Sequence, residues 1–211
     1  MYIRALLHMS IVRKVKRVQG LFGKLEQELS VFQQASGIHC LLGCGHCCNK
    51  PDIQVAVLEF LPFAFDLYLK KETQIIKDKL ATSAGAVCML YQSLSVADGN
   101  YFKGKCGDYN HRALICRLFG FGTTRNKTGQ KVLSTCKWIK STQADNLEAA
   151  QPLIDEGVAP HYTNYYQQLV QIDFKLGQQY LPINEAMLKA IEEVEHYYNY
   201  RAFPYRFRKL A

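Results

Sequence analysis

The chain lacks an apolar run long enough to cross a membrane as a helix, which takes roughly 18 or more residues. Its longest candidate, residues 55–65, is cut by Glu59 and Pro62. That excludes a helical membrane protein as the expected class. A secretory pattern is also missing. Arg4, Arg13, Lys14, Lys16 and Arg17 make the start basic, but no continuous apolar segment or small-residue cleavage site follows. The expected location is therefore the cytoplasm, where thiols stay reduced. Internal repeats and low-complexity stretches are absent too. Acidic residues are missing from both ends, from residues 1–24 and from the closing stretch HYYNYRAFPYRFRKLA, although the chain as a whole carries a net charge of +8. Basic ends suit nucleic acid or an anionic surface. No nucleic-acid motif accompanies them, so a solvated helix face and a solvated tail are the preferred reading, with nucleic acid not expected as a partner.

What is present is ordinary globular material: 211 residues, 48% hydrophobic and 21% charged. Such a chain can bury a core as one domain, spanning 1–211. Its cysteines are not needed to rescue a core too small to fold. Residues 1–36 read as an N-terminal amphipathic helix. Ile11, Val15, Val18, Phe22, Leu25, Leu29 and Phe32 recur at spacings of four and three, which lays them along one stripe. Gly20 and Gly23 weaken this helix without ending it, and Ser36-Gly37 ends it. Because the periodicity starts just after Met9, that residue is a candidate start beside Met1.

The segment 51–57 is expected to be extended. Residues 58–71 are expected to be helical, with Leu58, Leu61, Phe65 and Tyr68 on one face and Pro62 in the first turn. A further helix is expected over 73–85, ending at Gly85. Residues 86–140 read as irregular, with a Gly/Asp/Asn loop at 97–107 and a strand at 130–139. Residues 146–200 read as helical, broken near Gly157/Pro160 and Leu181-Pro182. Met187, Ile191, Val194 and Tyr198 line one face of the last helix. The expected fold is mostly α with a small irregular α+β cysteine-rich core, in which helices flank a metal-binding middle segment, residues 37–140. Residues 141–211 form a C-terminal helical region.

The chemistry is concentrated in that middle. The stretch HCLLGCGHCCNK, residues 39–50, places Cys40, Cys44, Cys47 and Cys48 beside His39 and His46. Cys88, Cys106, Cys116 and Cys136 follow, making eight cysteines in all. In a reducing compartment such a cluster points to metal ligation or catalysis rather than disulfides. Thiolate is a soft ligand suited to zinc, copper(I) and iron–sulfur clusters. Cys44 and Cys47 have the C-x2-C spacing that lets two sulfurs meet one ion, with Gly45 to permit the tight turn. Side chains of adjacent residues tend to point apart. Cys47 and Cys48 are therefore expected to serve two centres, or one a centre and the other packing. The candidate ligands are Cys40, Cys44, Cys47, Cys48, Cys88, Cys106, Cys116 and Cys136.

Several thiolates leave negative charge, which Arg112 and Arg117 would offset while donating to sulfur. The competing reading is that either arginine pairs with a surface carboxylate. His46 lies inside the cluster as a substitute or supporting ligand, and His39 and His111 are nearby. With eight sulfurs available, each histidine is expected to support the site or sit at the surface. Tyr109 and Phe119 are expected to pack around it.

The pattern Cys40-x3-Cys44-x2-Cys47-Cys48, then Cys88, then Cys106-x2-Tyr109-x2-Arg112-x3-Cys116-Arg117-x-Phe119, then Cys136, resembles the YkgJ-like cysteine-cluster proteins, also called the CxxCxxCC family. The resemblance covers about residues 39–138. It implies zinc or iron chelation, some members being called iron–sulfur-cluster proteins. One relative is implicated in flagellin lysine methylation. This chain differs in having three residues, Leu41-Leu42-Gly43, between its first two cysteines, and Arg112-Ala113 where Arg-Pro is common in the family. Scattered cysteines suit iron, including an iron–sulfur cluster, slightly better than paired zinc knuckles.

Four functions compete. The first is a metal-binding protein holding iron or zinc through thiolates, its partner being the metal ion. The second is an enzyme of methylation- or redox-linked type. The bare Cys40-Cys44-Cys47 spacing matches the radical S-adenosylmethionine motif, but His46 stands where that motif has an aromatic, and the chain lacks the alternating βα pattern of the usual barrel. The third is a basic nucleic-acid-binding zinc protein. The fourth is a thiol redox or metal-handling protein using Cys47 and Cys48.

Overall fold

A computed structural model describes residues 9–83, 87–94 and 103–202. The expected stop at Gly85, most of the 97–107 loop, and the basic residues Arg4, Arg206, Arg208 and Lys209 lie outside that range. Helix α1, Ile11–Ser36, starts on Ser10, whose Oγ accepts from the Arg13 N–H at 3.3 Å, and ends at Gly37 in the left-handed conformation, φ 67°. All seven stripe residues are buried, with Leu21 beside them. The helix runs through Gly20 and Gly23, as expected.

Strand β1, Gln54–Ala56, leads through a 3-10 turn, Val57–Phe60, into α2, Leu61–Lys70. Pro62 sits in the first turn of α2, where no intrahelical N–H is lost. Then come α3 (Thr73–Ala81), β2 (Tyr91–Leu94), β3 (Lys103–Cys106), α4 (Leu114–Leu118), β4 (Thr123–Arg125), β5 (Lys131–Leu133), α5 (Lys137–Thr142), α6 (Ala144–Ala149) and α7 (Gln151–Glu156). The chain closes with α8 (Tyr162–Ile172), α9 (Phe174–Gln178), β6 (Tyr180–Pro182) and α10 (Ile183–Asn199). The fold is mostly α with small sheets, as the sequence predicts.

The strand expected over 130–139 is a correction. Only Lys131–Leu133 is extended, in a hairpin with β4. The Ser134 N–H donates to Gly122 O and the Ser134 carbonyl accepts from Gly120, which turns the chain away. Cys136 then caps α5, its sulfur 3.5 Å from the Ile139 N–H. Leu181-Pro182 breaks the helical region as expected, and the break is a strand. β6 pairs antiparallel with β1, Val55 facing Leu181. A third antiparallel pair joins β2 to β3, with Tyr91 opposite Cys106.

Helices α1, α2, α8 and α10 carry the core. Phe32, Phe60, Leu61, Leu169, Met187, Ile191 and Val194 are almost fully buried within one apolar cluster. Their burial is the main stabilising term for this frame. Among the described residues no helix is long and apolar enough to cross a membrane.

Candidate metal centre

The cysteine loop is built against a hairpin. Gly43 and Gly45 both have positive φ, at 70° and 57°, so the backbone can curl through Cys44 to Cys48. The Gly43 carbonyl accepts from the Gly104 N–H of β3 at 2.9 Å. A Cβ on Gly45 would lie 2.5 Å from the Gly104 carbonyl carbon. Gly45 therefore does more than permit a turn. It lets the loop press directly onto the strand that ends in Cys106.

Buried polar side chains hold the other cysteine segments. Among the described residues six polar or charged side chains are buried, and four of them bond backbone in the cysteine-bearing segments, two of these directly beside a cysteine. Gln143 clamps His39, accepting from its N–H at 3.0 Å and donating to its carbonyl at 2.8 Å, next to Cys40. Asn184 accepts from the Met89 N–H at 2.9 Å and donates to the Ser83 and Val87 carbonyls, bracketing Cys88. Glu59 accepts from the Ala56 N–H at 2.8 Å and from the Leu114 N–H at 2.5 Å, fixing the start of the short helix that carries Cys116. Arg117 donates to the Arg112 carbonyl at 2.8 Å and the Asn110 carbonyl at 2.5 Å, and it pairs with Glu26 of α1. A buried polar group left unpaired is costly, so each clamp specifies one backbone position.

Sequence reasoning missed Asn184, Gln143 and the role of Glu59. A signal existed for two of them. Asn184 falls in register with the apolar stripe of α10, and Glu59 interrupts the longest apolar run. Gln143 carries no such signal.

Cys48, Cys88, Cys106 and Cys116 come from four separate segments and line one narrow cavity of about 20 Å³, together with Arg112 and Phe60. Cys40 lies toward Cys44, Cys47 and Cys136, whose charges act on it. Cys47 and Cys48 join the two groups. Their sulfurs are 4.0 Å apart, nearer than the tendency of adjacent side chains to diverge suggests. All eight cysteines are free thiols.

Burial pushes the Cys116 thiol up to about 12, with Cys88, Glu59, Cys47 and Cys106 adding to it. Burial likewise pushes Cys88 up to about 11 and raises Cys106. Cys40 is exposed as a residue, yet the atoms packed around its sulfur desolvate it, and with the neighbouring thiols they raise it to about 11. A hydrogen bond shared by the Cys47 and Cys48 sulfurs lowers Cys47 and raises Cys48. Without metal, most of these thiols keep their protons at neutral pH. Metal binding would release them, since thiolate is the ligand.

The arginine N–H groups go to oxygen. Arg112 donates to the Tyr109 carbonyl at 3.2 Å and approaches Glu26 at 3.4 Å. Its field still lowers Cys40, Cys47 and Cys106. The expectation that Tyr109 packs around the site is corrected. Tyr109 is 63% exposed, with the Arg112 guanidinium 3.3 Å from its ring centroid. Phe119 is half-buried and lines an open cleft with Cys47, Cys48 and Cys116. His39 and His46 are exposed, and His111 pairs with Asp108 at 2.7 Å.

Thiolate sulfur is the donor type that a thiophilic ion takes. Among the described residues no three His, Cys, Asp or Glu side chains are grouped at metal-holding distance. Residues 39–137 match the CxxCxxCC family, described as "Putative zinc- or iron-chelating domain". This segment is similar to that domain. It spans just under half of the chain, from the residue before Cys40 to the one after Cys136, and takes in every cysteine. Neither the curated proteins nor the solved structures give a match. That similarity supports metal binding in general.

Proposed function

We propose that this CxxCxxCC-like segment holds two metal ions, iron or zinc, through two sets of four thiolates. One set is Cys48, Cys88, Cys106 and Cys116; the other is Cys40, Cys44, Cys47 and Cys136. The observation that carries this reading is the four-cysteine cavity. Four sulfurs from distant parts of the chain line a space of about 20 Å³, near the size that holds one water molecule. A single ion suits that space better than a cubane cluster does. Four thiolates complete a tetrahedral shell for zinc or iron. Arg112 lies along this cavity's wall and offsets part of the thiolate charge.

Elemental and acid-labile sulfide analysis of anaerobically purified protein tests the proposal. The expected result is two ions per chain without sulfide. Cys88→Ser should remove one and Cys40→Ser the other. Protein that is folded and metal-free, or that carries sulfide, overturns the reading.

A second reading is favoured by one observation. A cleft of about 490 Å³ opens over Cys47, Cys48 and Cys116, with apolar walls from Ile53, Ile115 and Phe119 and with Lys50 at its edge. A centre beside such a cleft can admit a small molecule, as catalytic sites do and closed structural sites do not. In cobalt-substituted protein the absorption bands would then shift on adding imidazole. An unchanged spectrum marks a closed structural centre.

A further inference from the structure

A second cavity, of about 500 Å³, contains no cysteine. Its walls come from α1, the β4–β5 hairpin, and the turn into α8. Lys24, Arg125 and Lys131 all line it, together with His161, whereas Glu28 is the acid among its lining residues. The cations are lightly engaged. The Arg125 guanidinium donates to the Gly129 carbonyl at 2.7 Å, and the Lys131 ammonium donates to the Asp155 carbonyl at 3.2 Å. Neither bond neutralises charge. Lys24 and Glu28 stand 3.8 Å apart on the exposed face of α1.

Two further features point the same way. The eleven-residue helix α8 begins at this cavity on His161, with no capping side chain and no acid in its first turn. Its positive end is therefore uncompensated. Tyr165, 2% exposed, lines the cavity beside Glu28. Burial and the Glu28 carboxylate, to which its hydroxyl donates, hold the phenol in the protonated form. One imidazole nitrogen of His161 is taken by Thr123 Oγ1 at 3.1 Å, which leaves the other for a ligand. Gly157 keeps this corner open, since a Cβ there would lie 3.3 Å from Lys131 Nζ.

We propose that this cavity binds the phosphate group of a small phosphorylated metabolite. Guanidinium, ammonium, imidazole, phenol and a helix N-terminus are together the donor set that a phosphate dianion uses. The site stands on residues separate from the thiol ligands, so it holds or fails independently of the metal reading.

The test is calorimetric titration of the full chain with inorganic pyrophosphate and glycerol phosphate at constant ionic strength. Saturable binding at one site is expected. Arg125→Ala and Lys131→Ala should each weaken it about tenfold. Tyr165→Phe should weaken it a few-fold. Glu28→Gln should tighten it. Circular dichroism and metal content of each variant should match the parent, which separates lost binding from lost fold. The proposal is overturned if no saturable binding occurs. It is also overturned if binding survives the Arg125→Ala/Lys131→Ala double variant, or if Glu28→Gln leaves affinity unchanged.

Discussion

The helical frame and the cysteine-bearing middle of this protein are held together by different physics. In the frame, α1, α2, α8 and α10 meet through Phe32, Leu61, Leu169, Met187 and Val194, all almost fully buried. Such burial is non-directional and spread over many residues. Between residues 39 and 137, outside α2 and α3, the elements are short, α4 having five residues and each strand three or four. Direction there comes from single polar side chains, Gln143, Asn184, Glu59 and Arg117, which bond chosen backbone groups. The frame tolerates variation in detail as long as volume is kept. The middle does not, because each clamp sets where one cysteine stands.

Helix α10 carries both kinds of residue one turn apart, and so offers the sharpest test. Met187→Ala should cost about 2–5 kcal/mol by opening a core cavity. Thermal unfolding should show it, while metal content per folded chain stays at the parent value. Loss of metal in proportion to loss of stability would erase the contrast between the regions.

Next in size is Glu59, which belongs to both regions. Burial pushes its carboxyl from the ordinary 4.5 up to about 7, against the opposing effect of the Leu114 and Ala56 N–H groups and of Arg117. Between those two values the folded chain keeps a proton that the unfolded chain has released. Stability is therefore fully present below pH 4.5 and falls as pH rises to about 7. The loss is on the order of 3 kcal/mol. In Glu59→Gln that slope should vanish, although the variant loses one of the two N–H bonds at every pH. Denaturant midpoints measured across the window check the claim, and an unchanged slope in the variant defeats it.

Asn184→Ala should cost about 1–3 kcal/mol, because the Met89 N–H and two carbonyls lose their partner. Its distinguishing effect is on metal. The ion held with Cys88 should weaken, while the ion held with Cys40 should not. Equal loss of both would show that Asn184 serves the frame alone. The smallest effect is expected at the exposed Lys70–Asp66 pair on α2, 2.7 Å apart. Asp66→Asn should shift stability by about 0.5 kcal/mol or less, and metal content not at all.

The frame was the more legible region. The spacing of Ile11 through Phe32, and of Met187 through Tyr198, identifies both long helices and their buried faces, because a helix repeats every 3.6 residues and writes its core contacts locally. The middle was legible in its chemistry but not in its geometry. The strand expected at 130–139 stops at Leu133, because the backbone of Ser134 pairs with Gly120 and Gly122 and Cys136 caps a helix. Tyr109 was expected at the site and lies at the surface. Arg112 and Arg117 were expected to turn to sulfur. They bond Glu26 and carbonyls, an outcome the sequence had as its alternative.

The sequence by itself determined the cysteines, their order, the glycines that let the loop curl, and the amphipathic faces that build the frame. All of these are local properties of composition and spacing. Only the tertiary structure decided that Cys48 faces Cys88, Cys106 and Cys116 across one cavity while Cys40 lies toward Cys44, Cys47 and Cys136. Those groupings join residues far apart along the chain. They depend on Asn184, Gln143 and Glu59 reaching across the fold to bond backbone, and on Gly45 lying flat against Gly104. Spacing along a chain carries no record of such contacts, since hydrogen bonds and close packing act through space.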